Sequence, residues 1–152
     1  MGKLVTGSEA LASKLAAVPT EVLQALRPAL TKSVHEIAAD ARALAASSRR
    51  TGALVESIEA TSPGETTPPF ATGGGRLTAG PNQAFVTAGD TDARHGHLVE
   101  FGTEERHHQD GTSTGTMPAE PFLLPAWRLN RARAERRIKK AISDAAKKAV
   151  AG

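Results

Sequence analysis

The chain has 152 residues, 39% of them apolar, which is enough to bury one hydrophobic core but hardly two. We therefore expect a single domain spanning residues 1–152. The absence of Cys excludes disulfides and thiol chemistry. No run approaches the roughly 18 consecutive apolar residues of a membrane span, and no signal-peptide pattern opens the chain. We expect a soluble protein made and kept in the cytoplasm, with no membrane partner.

Aromatic residues are scarce, with four Phe, one Trp and no Tyr. The core is therefore predicted to consist of aliphatic and small side chains. Binding of single-stranded nucleic acid without sequence preference needs a row of aromatic side chains on which bases stack, and this composition argues against it.

Charge is distributed unevenly along the chain. Residues 126–152 carry nine Lys or Arg against two acids, a local charge of +7, which leaves −4 for residues 1–125. This polarity predicts an acidic partner for the C-terminal segment: nucleic acid, an acidic protein surface, or the acidic face of a neighbouring copy.

The first third of the chain is predicted to be helical. A short helical segment, residues 1–19, is expected to end at Pro19, because proline removes a backbone donor and crowds the preceding turn. A longer helix follows over residues 20–47, with a kink at Pro28. Its apolar positions advance by threes and fours, which predicts one buried face. These positions are Leu23, Leu26, Leu30, Val34, Ile37, Ala41 and Leu44.

Short strands and loops are predicted in the middle of the chain. A first strand covers residues 53–61 and a second covers residues 84–88. Residues 62–83 between them are rich in Gly and Pro, so we expect a long flexible loop. A second flexible loop is expected over residues 103–118, where Gly and polar residues again dominate.

An apolar cluster and a basic helix complete the pattern. Leu98, Val99 and Phe101 form the cluster, and Phe101 is expected in the core together with Phe122. The last helix is predicted over residues 126–150, with its arginines left in solvent. Its predicted core positions are Trp127, Ile138, Ala141, Ile142 and Ala145.

Four histidines invite a metal-site interpretation: His95, His97, His107 and His108. The chain has no Cys and no helical pair of His four residues apart, so the favoured interpretation is solvated loop histidines that gain charge toward pH 6.

Two further patterns do not favour catalysis. The glycines at 73–75, with Arg76, lack the spacing of a phosphate-binding loop, and we interpret them as a hinge. Four acidic residues lack a partnered nucleophile and are expected to be exposed: Glu100, Glu104, Glu105 and Asp110. We therefore expect neither an enzyme nor a bound cofactor or metal.

The basic residues of the last helix are candidate interface residues. One interpretation is a solvated face, since the charges spread around the helix axis, and the other is salt-sensitive, non-specific binding of nucleic acid. The residues are Arg128, Arg131, Arg133, Arg136, Arg137, Lys139 and Lys140.

Three segments occur in a characteristic order: RTGALVESI at 50–58, HLVEFGT at 97–103 and MPAEPFLLPAW at 117–127. Together they resemble the tail-completion or tail-terminator-like family of long-tailed bacteriophages, also described as minor tail or head-to-tail joining components. Members of that family show TGxLxxSI, VEFGT and PFLxPA before a last helix. The resemblance spans residues 20–150, and Leu124 stands where the family often has Arg.

The motif residues are expected to be fold determinants rather than an active site. Gly52 is expected to release the chain from the long helix into the sheet, and Gly102 to end the apolar cluster at a turn. Pro121 and Pro125 are expected to fix the approach to the last helix. The full set is Gly52, Leu54, Ser57, Ile58, Val99, Glu100, Phe101, Gly102, Thr103, Pro121, Phe122, Pro125 and Ala126.

The resemblance implies an α+β subunit, with a small antiparallel sheet packed against a long N-terminal helix and a C-terminal helix. It implies a homo-oligomeric ring, a hexamer, in the virion neck, where the ring terminates the tail tube. Its partners would be the tail-tube protein, the head-closure (stopper) protein and DNA that passes through the lumen without sequence-specific binding. One alternative is the head-closure (stopper) ring itself or another ring protein of the neck. An alternative of a different class is a small basic DNA-binding protein that uses the last helix.

Overall fold

The fold is α+β, as expected, and is organised by two long helices. In chain order the elements are α1 (Ser8–Ser47), α2 (Gly52–Glu56), β1 (Glu59–Thr61), β2 (Phe85–Thr87), α3 (Gly96–Phe101), β3 (Thr103–His107), β4 (Ser113–Met117) and α4 (Leu123–Ala151). The computed structural model describes four segments of the chain: residues 8–47, 52–69, 75–90 and 96–151. No helix in these segments combines the length and the apolar character needed to cross a bilayer.

Helix α1 is continuous through both of its prolines, so the prediction that Pro19 ends a separate short helix was wrong. Pro28 does not split the helix either. Both prolines are exposed, whereas Leu26 and Ala29 beside Pro28 are buried. A proline inside a helix costs about 3 kcal/mol, and the extensive packing of α1 on α4 offsets this cost.

The two long helices run antiparallel. The side-chain amide of Asn130 donates to Asp40 (2.6 Å), and Lys148 pairs with Glu21 (3.6 Å), so residue numbers rise on one helix as they fall on the other. Small residues dominate the buried positions, as the composition predicted, and they let the two backbones approach closely. On α1 these are Ala29, Ala38, Ala41 and Ala45, and on α4 they are Ala126, Ala134, Ala145 and Ala149.

The first predicted strand begins as a helix instead. Residues 52–56 form the helix α2, and the strand β1 covers residues 59–61. Leu54 and Ile58 are both fully buried, while Glu56 between them is exposed. A strand would direct positions 54, 56 and 58 to one face, whereas a helical turn directs Glu56 away from the core. Gly52 therefore begins a short helix rather than delivering the chain into the sheet.

Strand β1 pairs antiparallel with β2, in the register Glu59 with Thr87 and Thr61 with Phe85. The second predicted strand is thus confirmed. The intervening segment, expected as a long loop, carries hairpin-like pairing in its described part: Thr66 bridges Thr78, and Thr67 N–H donates to the carbonyl of Leu77 at 2.8 Å.

The segment 103–118 folds as a β-hairpin rather than as an irregular loop. Strands β3 and β4 pair antiparallel from Thr103 with Met117 to His107 with Ser113, with interruptions of the register in between. Almost every residue of both strands is exposed. The hairpin is therefore a surface feature, and its mobility stays a prediction.

Helix α4 begins at Leu123, three residues earlier than predicted, and ends at Ala151. Its core-facing set differs from the predicted one, because Trp127 and Ile142 are exposed while Asn130 is buried. The main core cluster comprises Ile37, Ala38, Ala41, Ala45, Leu54, Ile58, Val99, Phe122 and Ala126.

Candidate assembly surface

The second and third motif segments meet at the start of α4 through Glu100. The Glu100 side chain, expected to be exposed, is buried, with the residue 5% exposed. Its carboxylate accepts the backbone N–H groups of Phe122 (2.7 Å), Leu123 (3.0 Å) and Leu124 (2.9 Å). A negative charge at a helix N-terminus also interacts favourably with the helix dipole. Glu100 is thus a helix cap supplied from a distant part of the chain.

Pro125 completes the cap. The first N–H groups of a helix have no intrahelical acceptor, and Pro125 has no N–H to satisfy. The N–H of Ala126 already donates to the carbonyl of Phe122 at 3.2 Å. Every backbone donor from residue 122 to 126 is therefore satisfied or absent, which explains why this glutamate and this proline belong to one motif pattern.

Gly102 holds the same junction from the other side. Its φ of +72° places it in the left-handed region, directly after α3. A Cβ at this position would lie 2.8 Å from both Ala119 N and Met117 O, so a side chain does not fit. Beside it, Thr103 Oγ1 accepts the N–H of Met117 at 3.0 Å. The expected turn at Gly102 is confirmed.

The first motif segment contributes to the core and to one polar link. Ser57 is buried, donates from Oγ to the carbonyl of Leu54 (2.8 Å) and accepts the N–H of Gly89 (3.1 Å). It therefore ties α2 to the chain that leaves β2. Of the other motif residues, Pro121 is exposed at the entry to α4.

Phe101 is not in the core. The residue is 71% exposed, whereas Val99, two positions earlier, is 1% exposed, because residues two apart lie on nearly opposite sides of α3. Phe101 instead borders a groove of about 270 Å³ at the start of α4. The groove is lined by Val86, Thr87, Ala88, Gly96, Glu100, Phe101, Leu123 and Leu124. We call it the α3–α4 groove.

The lining of the α3–α4 groove is mostly apolar, and Leu124 within it is also exposed. The Thr87 hydroxyl is buried and has no hydrogen-bond partner in the described part of the chain. Buried polar groups are normally paired, so this hydroxyl is an exception at the edge of the groove.

A second apolar surface lies at the opposite end of α1. Because Lys148 pairs with Glu21, α4 ends beside about residue 18, and α1 continues past it for about 15 Å. Leu11 and Leu15, in this N-terminal overhang, are 54% and 56% exposed. Leu11 and Leu15 lie, by steps of three and four residues, on the same face of α1 as Leu26 and Ser33. Ser33 on that face contacts Arg137 of α4.

The basic residues of α4 divide into two groups. Arg137, expected in solvent, is partly buried and donates from Nη2 to both carboxylate oxygens of Glu36 at 3.0 Å, and from Nη1 to Ser33 at 2.9 Å. Arg133 also pairs with Glu36, at 3.2 Å. These two arginines belong to the α1–α4 interface. Arg133 in addition donates to Asn130.

Two more cations pair along α4 itself. Arg131 binds Glu135 at 2.8 Å, and Lys140 binds Asp144 at 2.7 Å. Hydrogen bonding from Arg131 lowers the pKa of Glu135 below its usual value, and hydrogen bonding from Lys140 does the same to Asp144. Arg128, Arg136 and Lys139 have no ion-pair partner among the described residues.

The remaining candidate groups are not brought together. His107 and His108 are exposed, His95 lies outside the described residues, and nothing is described of the His97 side chain. Within the described segments, no group of three or more His, Asp or Glu residues is placed to hold a metal ion. The predicted hinge at 73–75 lies largely outside the described residues.

Sequence reasoning missed the residues that join α1 to α4. Asp40, Asn130, Glu36 and Ser33 are polar positions on helix faces that otherwise pack, and a polar residue at such a position is the available signal. It also missed the exposed leucines at 11 and 15, because the assumed helix end at Pro19 separated them from the rest of α1.

A family model described as "Bacteriophage HK97-gp10, putative tail-component" matches residues 9–102, more than half of the chain. The match runs from α1 to the glycine after α3 and includes the first motif segment and most of the second. Comparison with curated proteins and with solved structures gave no match. The chain belongs to the HK97-gp10-like family of bacteriophage tail components.

Proposed function

We propose that the chain is a single-domain structural subunit of the phage neck, not an enzyme, and that it assembles into a homo-oligomeric ring. The ring terminates the tail tube and joins it to the head-closure protein. Its hexameric stoichiometry rests on the resemblance of the three motif segments to tail-terminator-like proteins. Membership in a tail-component family supports a location in the virion tail.

The observation that carries the proposal is the pair of separate apolar surfaces. A closed ring is built on a heterologous interface, in which one surface of a subunit meets a different surface of the next. The N-terminal overhang and the α3–α4 groove lie near opposite ends of α1, about 50 Å apart along the helix. Two distinct surfaces at opposite ends fit head-to-tail association better than a two-fold dimer.

The β3–β4 hairpin supports the same conclusion. A two-stranded hairpin exposed on both faces is at best marginally stable in water. Met117 is the one large apolar residue of its two strands and packs against the core, while the other strand residues are polar, charged or Gly, so the hairpin gains little from packing on its own subunit. A neighbouring subunit that covers the hairpin would stabilise it and enlarge the interface toward the ~1,200 Å² typical of stable complexes.

Complementation between two interface variants tests the ring. Leu11→Ser with Leu15→Ser alters the overhang, and Phe101→Ser alters the groove. Each variant alone should remain monomeric by light scattering under conditions in which the unmodified chain assembles, with or without tail-tube protein. An equimolar mixture should form dimers, because one intact surface of each kind remains, but no ring.

The matched control is Leu129→Ser, which removes an even more exposed leucine, on α4 and outside both surfaces. It should assemble like the unmodified chain. Assembly of both interface variants at full size would contradict the proposal. A ring that assembles but does not bind tail-tube ends would instead assign the chain to the head-closure layer.

A further inference from the structure

Four cations of α4 remain outside the ion pairs described above: Arg128, Arg136, Lys139 and Lys147. All four are exposed, and none lies within ion-pair distance of an acidic group in the described part of the chain. Lys139 and Lys147 are attracted to Glu135 and Asp144 at longer range, and each of these acids already pairs with another cation of α4. The other cations of this helix pair with Glu36, Glu135, Asp144 and Glu21. We call the four unpaired cations the basic stripe.

The basic stripe occupies one side of α4. At about 100° per residue, its members fall within an arc of about 100°, centred roughly opposite the buried positions such as Asn130 and Ala134. The two acidic residues of α4, Glu135 and Asp144, lie outside that arc. The stripe extends for about 28 Å along the helix, from residue 128 to residue 147.

The side chains between these cations favour a long polyanion. Ala132, Ser143 and Ala146 lie within the arc and are small, so an extended partner can approach the helix closely, while the exposed Leu129 lies at the edge of the arc. The arc contains no aromatic residue on which a base could stack, which favours the phosphate backbone of a duplex over single-stranded nucleic acid.

A second copy of this chain is a poorer partner for the stripe. Most acidic side chains in the described segments already accept hydrogen bonds or form ion pairs within their own subunit, as Glu36, Glu59 and Glu100 do. Those without such a contact, Glu56 and Glu104 among them, are scattered along the sequence rather than aligned over 28 Å. Duplex DNA offers a continuous row of phosphates instead.

We propose that the basic stripe of α4 contacts the phosphate backbone of double-stranded DNA without sequence preference. The inference rests on the proposed function for the place where DNA is met, because DNA passes through a ring that joins the tail tube to the head-closure protein, and it requires the outer face of α4 to face that DNA. It assigns the contact to four residues of the helix and excludes the arginines that bind Glu36.

Salt-dependent binding to a 30-base-pair duplex, measured by fluorescence anisotropy, tests the stripe. Four phosphate contacts give a slope of about −3.6 for log K against log salt, so affinity should fall about 150-fold between 50 and 200 mM salt. Lys139→Gln with Lys147→Gln should halve the slope, and the fall should become about 12-fold. Two duplexes of unrelated sequence should bind equally.

The matched control is Arg133→Gln with Lys148→Gln, which removes the same charge from the same helix but from residues outside the arc that pair with Glu36 and Glu21 of α1. This variant should retain the full slope. An equal loss in both double variants would contradict the stripe, as would a lack of binding by the unmodified chain at 50 mM salt. Preferential binding of single-stranded DNA would also contradict it.

The same variants separate this inference from the proposed ring. Light scattering should show that the stripe variant assembles like the unmodified chain. Loss of assembly would make the stripe a subunit interface and overturn the inference. A ring that forms without stripe-dependent DNA binding would contradict the inference alone, whereas stripe-dependent binding by a chain that never assembles would contradict the ring alone.

Discussion

Replacing Glu100 by Ala should destabilise the chain more than the loss of an ordinary helix cap. An exposed cap contributes about 1 kcal/mol. Here one buried carboxylate accepts three backbone N–H groups at 2.7–3.0 Å, and its removal leaves all three donors without their acceptor. Hydrogen bonds to a charged group contribute about 1.5–3 kcal/mol each, and water can reach the part-buried donors of Leu123 and Leu124. We expect a loss of about 3 kcal/mol.

Urea unfolding of the monomer, followed by circular dichroism, measures this change. Glu100→Gln keeps one carbonyl acceptor but loses the charge, so it should cost less, about 1–2 kcal/mol. Glu104→Ala removes an exposed glutamate nearby and should stay within about 0.5 kcal/mol of the unmodified chain. A loss below about 1 kcal/mol for Glu100→Ala would refute the proposed cap.

Three further predictions concern packing, backbone conformation and order. Phe122→Ala should cost about 3–5 kcal/mol because Phe122 is 1% exposed, whereas Phe101→Ala should leave stability nearly unchanged and impair assembly; equal costs in urea unfolding would contradict this placement. Gly102→Ala should be clearly more destabilising than Gly115→Ala, since both have positive φ but a Cβ meets backbone atoms at Gly102 alone of the two; similar midpoints would contradict the close contact. Amide exchange in residues 103–118 should slow when the ring forms, and equal protection in monomer and ring would contradict coverage of the hairpin by a neighbour.

The sequence predicts the helices of this fold well where packing follows the local pattern. Apolar spacing predicts the α1 face from Leu26 to Ala41, because that spacing is what the helix–helix interface requires. It predicts that α4 is a helix but misplaces its buried face, since Trp127 and Ile142 are exposed and Asn130 is buried. The continuation of α1 through Pro19 was not predictable in this way. It depends on the length of the helix and on packing against a segment more than a hundred residues later.

Residues 53–61 contain one sequence signal against a strand, but the β-branched residues of the segment outweigh it. The β-branched residues between 53 and 61 favoured a strand, yet Glu56 lies midway between Leu54 and Ile58, and a strand would have buried it. The packing of Leu54 and Ile58 in the core stabilises a helical turn here instead of a strand.

The sequence predicts which motif residues form the candidate site, but it does not predict what each of them does. Glu100 resembles any exposed glutamate in the sequence, because the backbone N–H groups that donate to its carboxylate lie more than twenty residues away at the start of α4. The sequence predicts Phe101 in the core because aromatic residues are usually buried, but its neighbour Val99 takes the inward position on α3.

The most direct test of the central claim is the mass of the purified protein in solution. Light scattering would be measured at low and high salt, first for the chain alone and then with tail-tube protein. The account predicts a hexamer-sized particle, or a monomer that converts to a ring on tube ends, in both cases persisting at high salt because the proposed contacts are apolar. A chain that stays monomeric and does not associate with tubes at any salt concentration would contradict it.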